Sequence, residues 1–206
     1  MASRKVFVLT TALAGGLMAG LALGAQVDPK EPQVSAGVWT QHTYSFTHLG
    51  FTSYYSCDGL AAKLKVLLRA AGARADVIAT PRGCAAGFGR PDRLVSAELK
   101  FSTLTPAVDA PSTPTDGEVA LSSPVATVPG YWKTISLGSR KPRELDAGDC
   151  ELVEEFRDLL LPMFTTAQIQ DRMRCVPRQS TLGGLNLSFD AFVAVPVPKA
   201  PVPTKP

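Results

Sequence analysis

The chain has 206 residues but only two tryptophans and four cysteines, and these six rare residues keep step with one another. Both tryptophans follow a Gly-x pair, in "GVW" at 37–39 and "GYW" at 130–132. Trp39 lies 18 residues before Cys57, and Trp132 lies 18 residues before Cys150. Cys84 and Cys175 follow at an offset of 91, against 93 for the earlier pairs. Leu94 and Phe101, after Cys84, find counterparts at the same 91-residue offset in Leu185 and Phe192. Two diverged copies of one unit explain the coincidence, over 35–105 and 130–195. Two copies are too few for a solenoid, so a pseudo-two-fold domain is expected.

Each copy reads as β-α-β-β. In the first, "HTYSFTH" alternates, with His42, Tyr44, Phe46 and His48 on one face of a strand. A helix over about 58–71 follows, because Leu60, Leu64, Leu67, Leu68 and Ala71 recur at helical spacing. Ser56 or Asp58 is expected to cap its start, and Gly72 to stop it. "RADVIAT" and "RLVSAELKFSTL" are strands around a turn-rich loop, "PRGCAAGFGRPD". The second copy repeats the order with "YWKTISL", a helix over 150–161 capped by Asp149, then "TAQIQDRMRC" and "GLNLSFDAFVAV". Six strands in one antiparallel sheet, covered by two amphipathic helices, make the expected α+β two-layer sandwich. The helices differ in charge: Lys63, Lys65 and Arg69 stand on the first, and Glu151, Glu154, Glu155 and Asp158, offset by Arg157, on the second.

The segments outside the copies are expected to lie outside the fold. Met1–Gly24 carries Arg4 and Lys5 ahead of an uncharged run to Leu23, and ends in Ala22-Leu23-Gly24, the pattern of a cleaved secretory signal. The run is just long enough to span a bilayer, so an uncleaved anchor is the alternative; after cleavage no stable membrane insertion is expected. Residues 106–129 form a Pro-rich linker, with a short strand conceivable over Val119–Val128. Residues 196–206 form a Pro-rich tail of extended or disordered character. Loss of the leader lowers the formal charge from +3 to +1. A near-neutral chain argues against nucleic acid, which calls for a clustered basic surface.

Export bears on the cysteines. An even number of them in an oxidising compartment points to disulfides, and the repeat selects Cys57–Cys84 and Cys150–Cys175, each closing an equivalent loop. The rival for Cys57 is a nucleophile with its thiol acidified at a helix N-terminus. Against it, Cys150 holds the same place in a copy without histidine. No Cys-x-x-Cys is present for thiol–disulfide exchange, and no paired Cys or His spacing for zinc. His42 and His48 share a strand face, but six residues of strand span roughly 20 Å, too far for one ion. They are expected as rim residues beside Tyr44 and Phe46. No Gly-x-Ser-x-Gly elbow appears. "GCAAGFG" is neither a Walker loop nor a dinucleotide fingerprint. No cofactor is implied.

Arginines cluster near the second cysteine of each copy: Arg82, Arg90 and Arg93 in the first, Arg172, Arg174 and Arg178 in the second. Were the two loops to meet, they would suit an anionic group or an acidic partner surface. "SYY" at 53–55 and "FGRP" at 88–91 add aromatics to the same regions. The expectation is a periplasmic or secreted, non-catalytic binding or interaction module of the cell envelope, with a protein or an anionic envelope component as partner. The alternative is a small secreted hydrolase-like enzyme using His48 or His42 with Asp58.

Overall fold

The computed structural model describes residues 33–51, 53–83, 90–108, 126–176 and 184–196. Met1–Gly24, Cys84, Arg178, most of the 106–129 segment and nearly all of the tail therefore lie outside the described residues.

Six antiparallel strands form one sheet: β1 (Ser35–Leu49), β2 (Ile78–Arg82), β3 (Leu94–Pro106), β4 (Val128–Gly138), β5 (Thr166–Asp171) and β6 (Asn186–Ala194). Their order across the sheet is β2-β3-β1-β4-β6-β5. The α+β class is as expected, and the strands run longer than alternation alone suggested. Pro106 still belongs to β3, and Val128 and Pro129 to β4, so both ends of the Pro-rich segment are strand. The central seam is short, since β1 and β4 pair only over Ser35–Gly37 and Val128–Gly130.

The Gly-x-Trp glycines lie at that seam. A Cβ on Gly37 would stand 2.8 Å from both the Leu104 and the Phe192 side chains, and one on Gly130 would stand 2.5 Å from Phe192 and 2.7 Å from Leu104. Leu104 and Phe192 are the cross-strand partners of Trp39 and Trp132. Only a residue without a side chain lets two strands close over these two large groups. The same register adjusts one match made in sequence. Phe101 lies opposite His42, and Phe189, not Phe192, lies opposite Ile135, the residue 93 positions after His42. The Phe101–Phe192 match read in sequence is therefore not matched in strand register.

Helix α1 (Cys57–Ala70) begins where the Ser56 side chain accepts a hydrogen bond from Gly59 N–H. Asp58 lies exposed in the first turn. Gly72, with φ +102°, ends the helix: its own N–H bonds Arg69 C=O, and Ala73 N–H bonds Leu68 C=O. That paired closure needs the left-handed conformation glycine tolerates. Leu60, Leu64, Leu67 and Leu68 are fully buried and face β2 and β3.

Helix α2 (Cys150–Leu159) follows a single 3₁₀ turn at Ala147–Asp149. Asp149 does not cap it with its side chain, contrary to expectation. Asp146 caps the 3₁₀ turn instead, while the Asp149 carboxylate accepts from Asp146 N–H at 2.8 Å. Pro162 lies in a second 3₁₀ turn, Leu161–Met163. One apolar core joins α1, α2 and the sheet, with Phe46, Phe156 and Phe189 its largest fully buried side chains. Phe164 links the halves by stacking on Phe101 of β3, at 5.9 Å between centroids. Cys150 and Cys175 are bonded as expected, their Cα atoms 5.6 Å apart. The Cys57–Cys84 pairing falls on a residue outside those described. Among the described residues no helix is long and apolar enough to cross a membrane.

Candidate functional site

The two histidines face the core side of β1, but they are not equivalent rim residues. His48 is fully buried. Its Nδ1 lies 2.7 Å from Glu155 Oε2 on α2. A carboxylate only accepts, so Nδ1 carries the proton of this bond. Its Nε2 is buried without a hydrogen-bond partner among the described residues. It faces Gly50, where a Cβ would come within 3.0 Å of it. Tyr55 packs against the imidazole edge-on at 5.1 Å.

His42 is half-buried and stacks on Phe101 at 5.2 Å. The Thr103 hydroxyl donates its one proton to Met163 C=O at 2.9 Å. His42 Nε2, 2.8 Å from that oxygen, is therefore the donor to it. Burial lowers the His42 pKa. Neither histidine meets Asp58, so the carboxylate that does reach a histidine, Glu155, went unforeseen. Among the described residues no group of three or more metal-ligating side chains forms.

A second buried network lies beside the first. Asp149, only 2% exposed, accepts from Tyr55 Oη at 2.5 Å and from Lys63 Nζ at 2.6 Å. Burial first, then the Asp149 hydrogen bond and charge, push the Tyr55 pKa far above the ordinary phenol value. Phe51 N–H donates to Glu151 at 2.9 Å, and Ser53 Oγ donates to Gly148 C=O. The 49–56 connection is thereby fastened to the start of α2. Lys63 of α1 reaches Asp149 on the 3₁₀ turn ahead of α2 rather than the glutamates of α2 itself. Those border a groove of about 270 Å³ lined by Leu49, Phe51, Glu151, Glu154, Glu155 and Asp158. Burial raises the Glu154 pKa against the pull of Arg157, and the Asp158, Asp171 and Glu151 charges raise it further.

The sequence-selected arginines among the described residues do not converge. Arg82 is on edge strand β2 and bonds Glu98 at 2.5 Å. Arg93 lies over the Phe51 ring at 5.7 Å. Arg90 is exposed. Arg172 and Arg174 follow β5, the strand at the opposite edge, and line a pocket of about 530 Å³ with Asp171, Met173 and Asn186. The strand order, not the loops, sets this separation.

Cations and aromatics come together elsewhere. A cleft of about 280 Å³ opens between the end of α1 and strands β4 and β6. The Gly72 turn rests on Val193, whose Cγ1 occupies the place a Cβ would need. It carries Arg69 and Arg74 to the cleft opposite Tyr131, Lys133 and Ile135, which share a face of β4. Arg74 lies 5.7 Å from the Trp39 ring centroid and forks onto Asp76 at 2.6–3.0 Å. That hydrogen bonding raises the Arg74 pKa, so the guanidinium stays charged. Arg69 Nη2 donates to Ala75 C=O at 3.0 Å and braces the turn. Lys133 is exposed and makes no hydrogen bond or ion pair among the described residues. The period-2 pattern of β4 already placed Tyr131 and Lys133 together. What landed opposite them was set by tertiary packing.

Comparison of the chain with protein-family models, curated proteins and solved structures finds no match.

Proposed function

We propose that the chain is an exported, non-catalytic binding module of the cell envelope, built from two copies of one β-α-β-β unit. The carrying observation is the cleft between α1 of the first half and β4 and β6 of the second, where three cationic side chains stand beside Trp39 and Tyr131. Binding sites are typically concave, mostly apolar and furnished with a few placed polar groups. The strand order supports the duplication, because β2-β3-β1-β4-β6-β5 reads the same from either edge when β1, β2 and β3 are exchanged for β4, β5 and β6. The Cys150–Cys175 bond agrees with an oxidising compartment. The partner is a protein or an anionic component of the envelope.

The enzyme alternative gains a histidine–carboxylate pair in His48 and Glu155. It lacks the third member, since no described hydroxyl meets the buried Nε2. A general base needs its target within hydrogen-bond reach.

The test is affinity capture of the mature chain's partner from its native envelope extract. An envelope component should be retained by the wild type and by the Arg82→Gln/Arg174→Gln variant, and lost with Lys133→Glu. Retention of nothing by the folded wild type would overturn the reading.

A further inference from the structure

We infer that the α1–β4 cleft takes a small ligand that joins an anionic group to a planar or apolar ring, an inference that rests on the binding reading above. The cleft offers the two halves of that chemistry side by side. Trp39 and Tyr131 provide the faces on which a ring can lie. Lys133 and Arg69 provide the charge.

The three cations differ in what they have left to give. Arg74 spends its guanidinium on Asp76 and on the Trp39 face, so it fixes the orientation of that indole. Arg69 gives one amino group to Ala75 C=O and keeps other donors. Lys133 has no described partner. Asp76 offsets Arg74 alone, which leaves the cleft with an excess of two positive charges. The volume suits a single ring with its anionic substituent. Ile135 and Val193 form the apolar floor.

Phenyl phosphate is the probe. The Trp132→Phe variant leaves Trp39 as the sole reporter of two tryptophans in the chain, and fluorescence titration reads binding at that ring. Phenyl phosphate should change Trp39 emission saturably. Inorganic phosphate and phenol should each bind at least about tenfold more weakly, because each lacks one half of the contact. Arg69→Gln/Lys133→Gln should weaken phenyl phosphate by about tenfold or more, while Arg82→Gln/Arg174→Gln leaves it unchanged. Each replaced side chain is exposed, and an unaltered thermal midpoint confirms folding.

Phosphatidylglycerol vesicles distinguish the source of the group. Co-sedimentation lost in the cleft variant assigns it to a lipid headgroup, and phenyl phosphate binding without co-sedimentation assigns it to a free ligand. Equal affinity of wild type and cleft variant for phenyl phosphate, or no response of Trp39, would overturn the inference. Envelope capture that is still lost with Lys133→Glu would stand in that case, with the cleft holding a partner of other chemistry.

Discussion

His48 on β1 and Glu155 on α2 share a 2.7 Å hydrogen bond across 107 residues of chain, and the histidine end of that bond is wholly buried. The bond replaces water on a group that burial has stripped of it. Glu155→Ala should therefore cost about 1–3 kcal/mol in urea unfolding, the penalty for orphaning a buried polar atom. In a His48→Phe background, which keeps the edge contact with Tyr55 but has no nitrogen to satisfy, the same change should cost less than half as much. Equal costs in the two backgrounds would mean the pair is not coupled.

Tyr55 and Asp149 make the fold sensitive to base. The phenol is held protonated in the folded chain by burial and by the Asp149 carboxylate, so its folded pKa lies above the ordinary value of about 10. A raised folded pKa contributes stability that is complete below the unfolded pKa and is lost as pH climbs past it. Stability should fall from about pH 10 upward, and Tyr55→Phe should flatten that fall. Ultraviolet titration should show Tyr55 ionising only as the chain unfolds.

The Cys150–Cys175 bond closes a loop with a sequence separation of 25. Chain entropy assigns such a loop about 3.5 kcal/mol. Cys150→Ser/Cys175→Ser should lower the unfolding free energy by about that amount. Non-reducing peptide maps should recover the two cysteines in one linked peptide. A bridge from Cys150 to the first half would contradict the structure.

Gly130 is the tightest point of the β1–β4 seam. Gly130→Ala should destabilise by about 1–3 kcal/mol, the usual cost of overpacking. Phe192→Leu should recover part of the loss, because the phenyl ring is what the new methyl meets. No recovery would place the strain in the backbone.

Periodicity made much of this architecture legible. Alternation along His42–His48 sorted the side chains of β1 onto two faces without saying which is buried, and the leucine spacing gave the span of α1 to within a residue. The Trp and Cys spacing selected a disulfide that the structure contains. The missing parts were decided by contacts distant in sequence. Asp149 looked like a helix cap because local rules see only the next three residues, and Tyr55 and Lys63 reach it from nearly a hundred residues away. His48 looked like a rim residue because nothing beside it announces Glu155. The arginines were grouped by nearness to cysteines, whereas strand order puts Arg82 at one edge and Arg172 and Arg174 at the other. The cleft needed knowledge of where the Gly72 turn lands.

The sheet's two edges have a consequence for life at high concentration. β2 is five residues long and contains Pro81, which has no N–H to offer. β5 breaks register between Ala167 and Gln170, where Gln168 turns left-handed at φ +51°. Neither border presents the flat, continuous row of donors and acceptors that would recruit a neighbouring molecule. The chain should accordingly remain dispersed in a crowded compartment, with stacking into fibres discouraged at both margins by backbone chemistry alone.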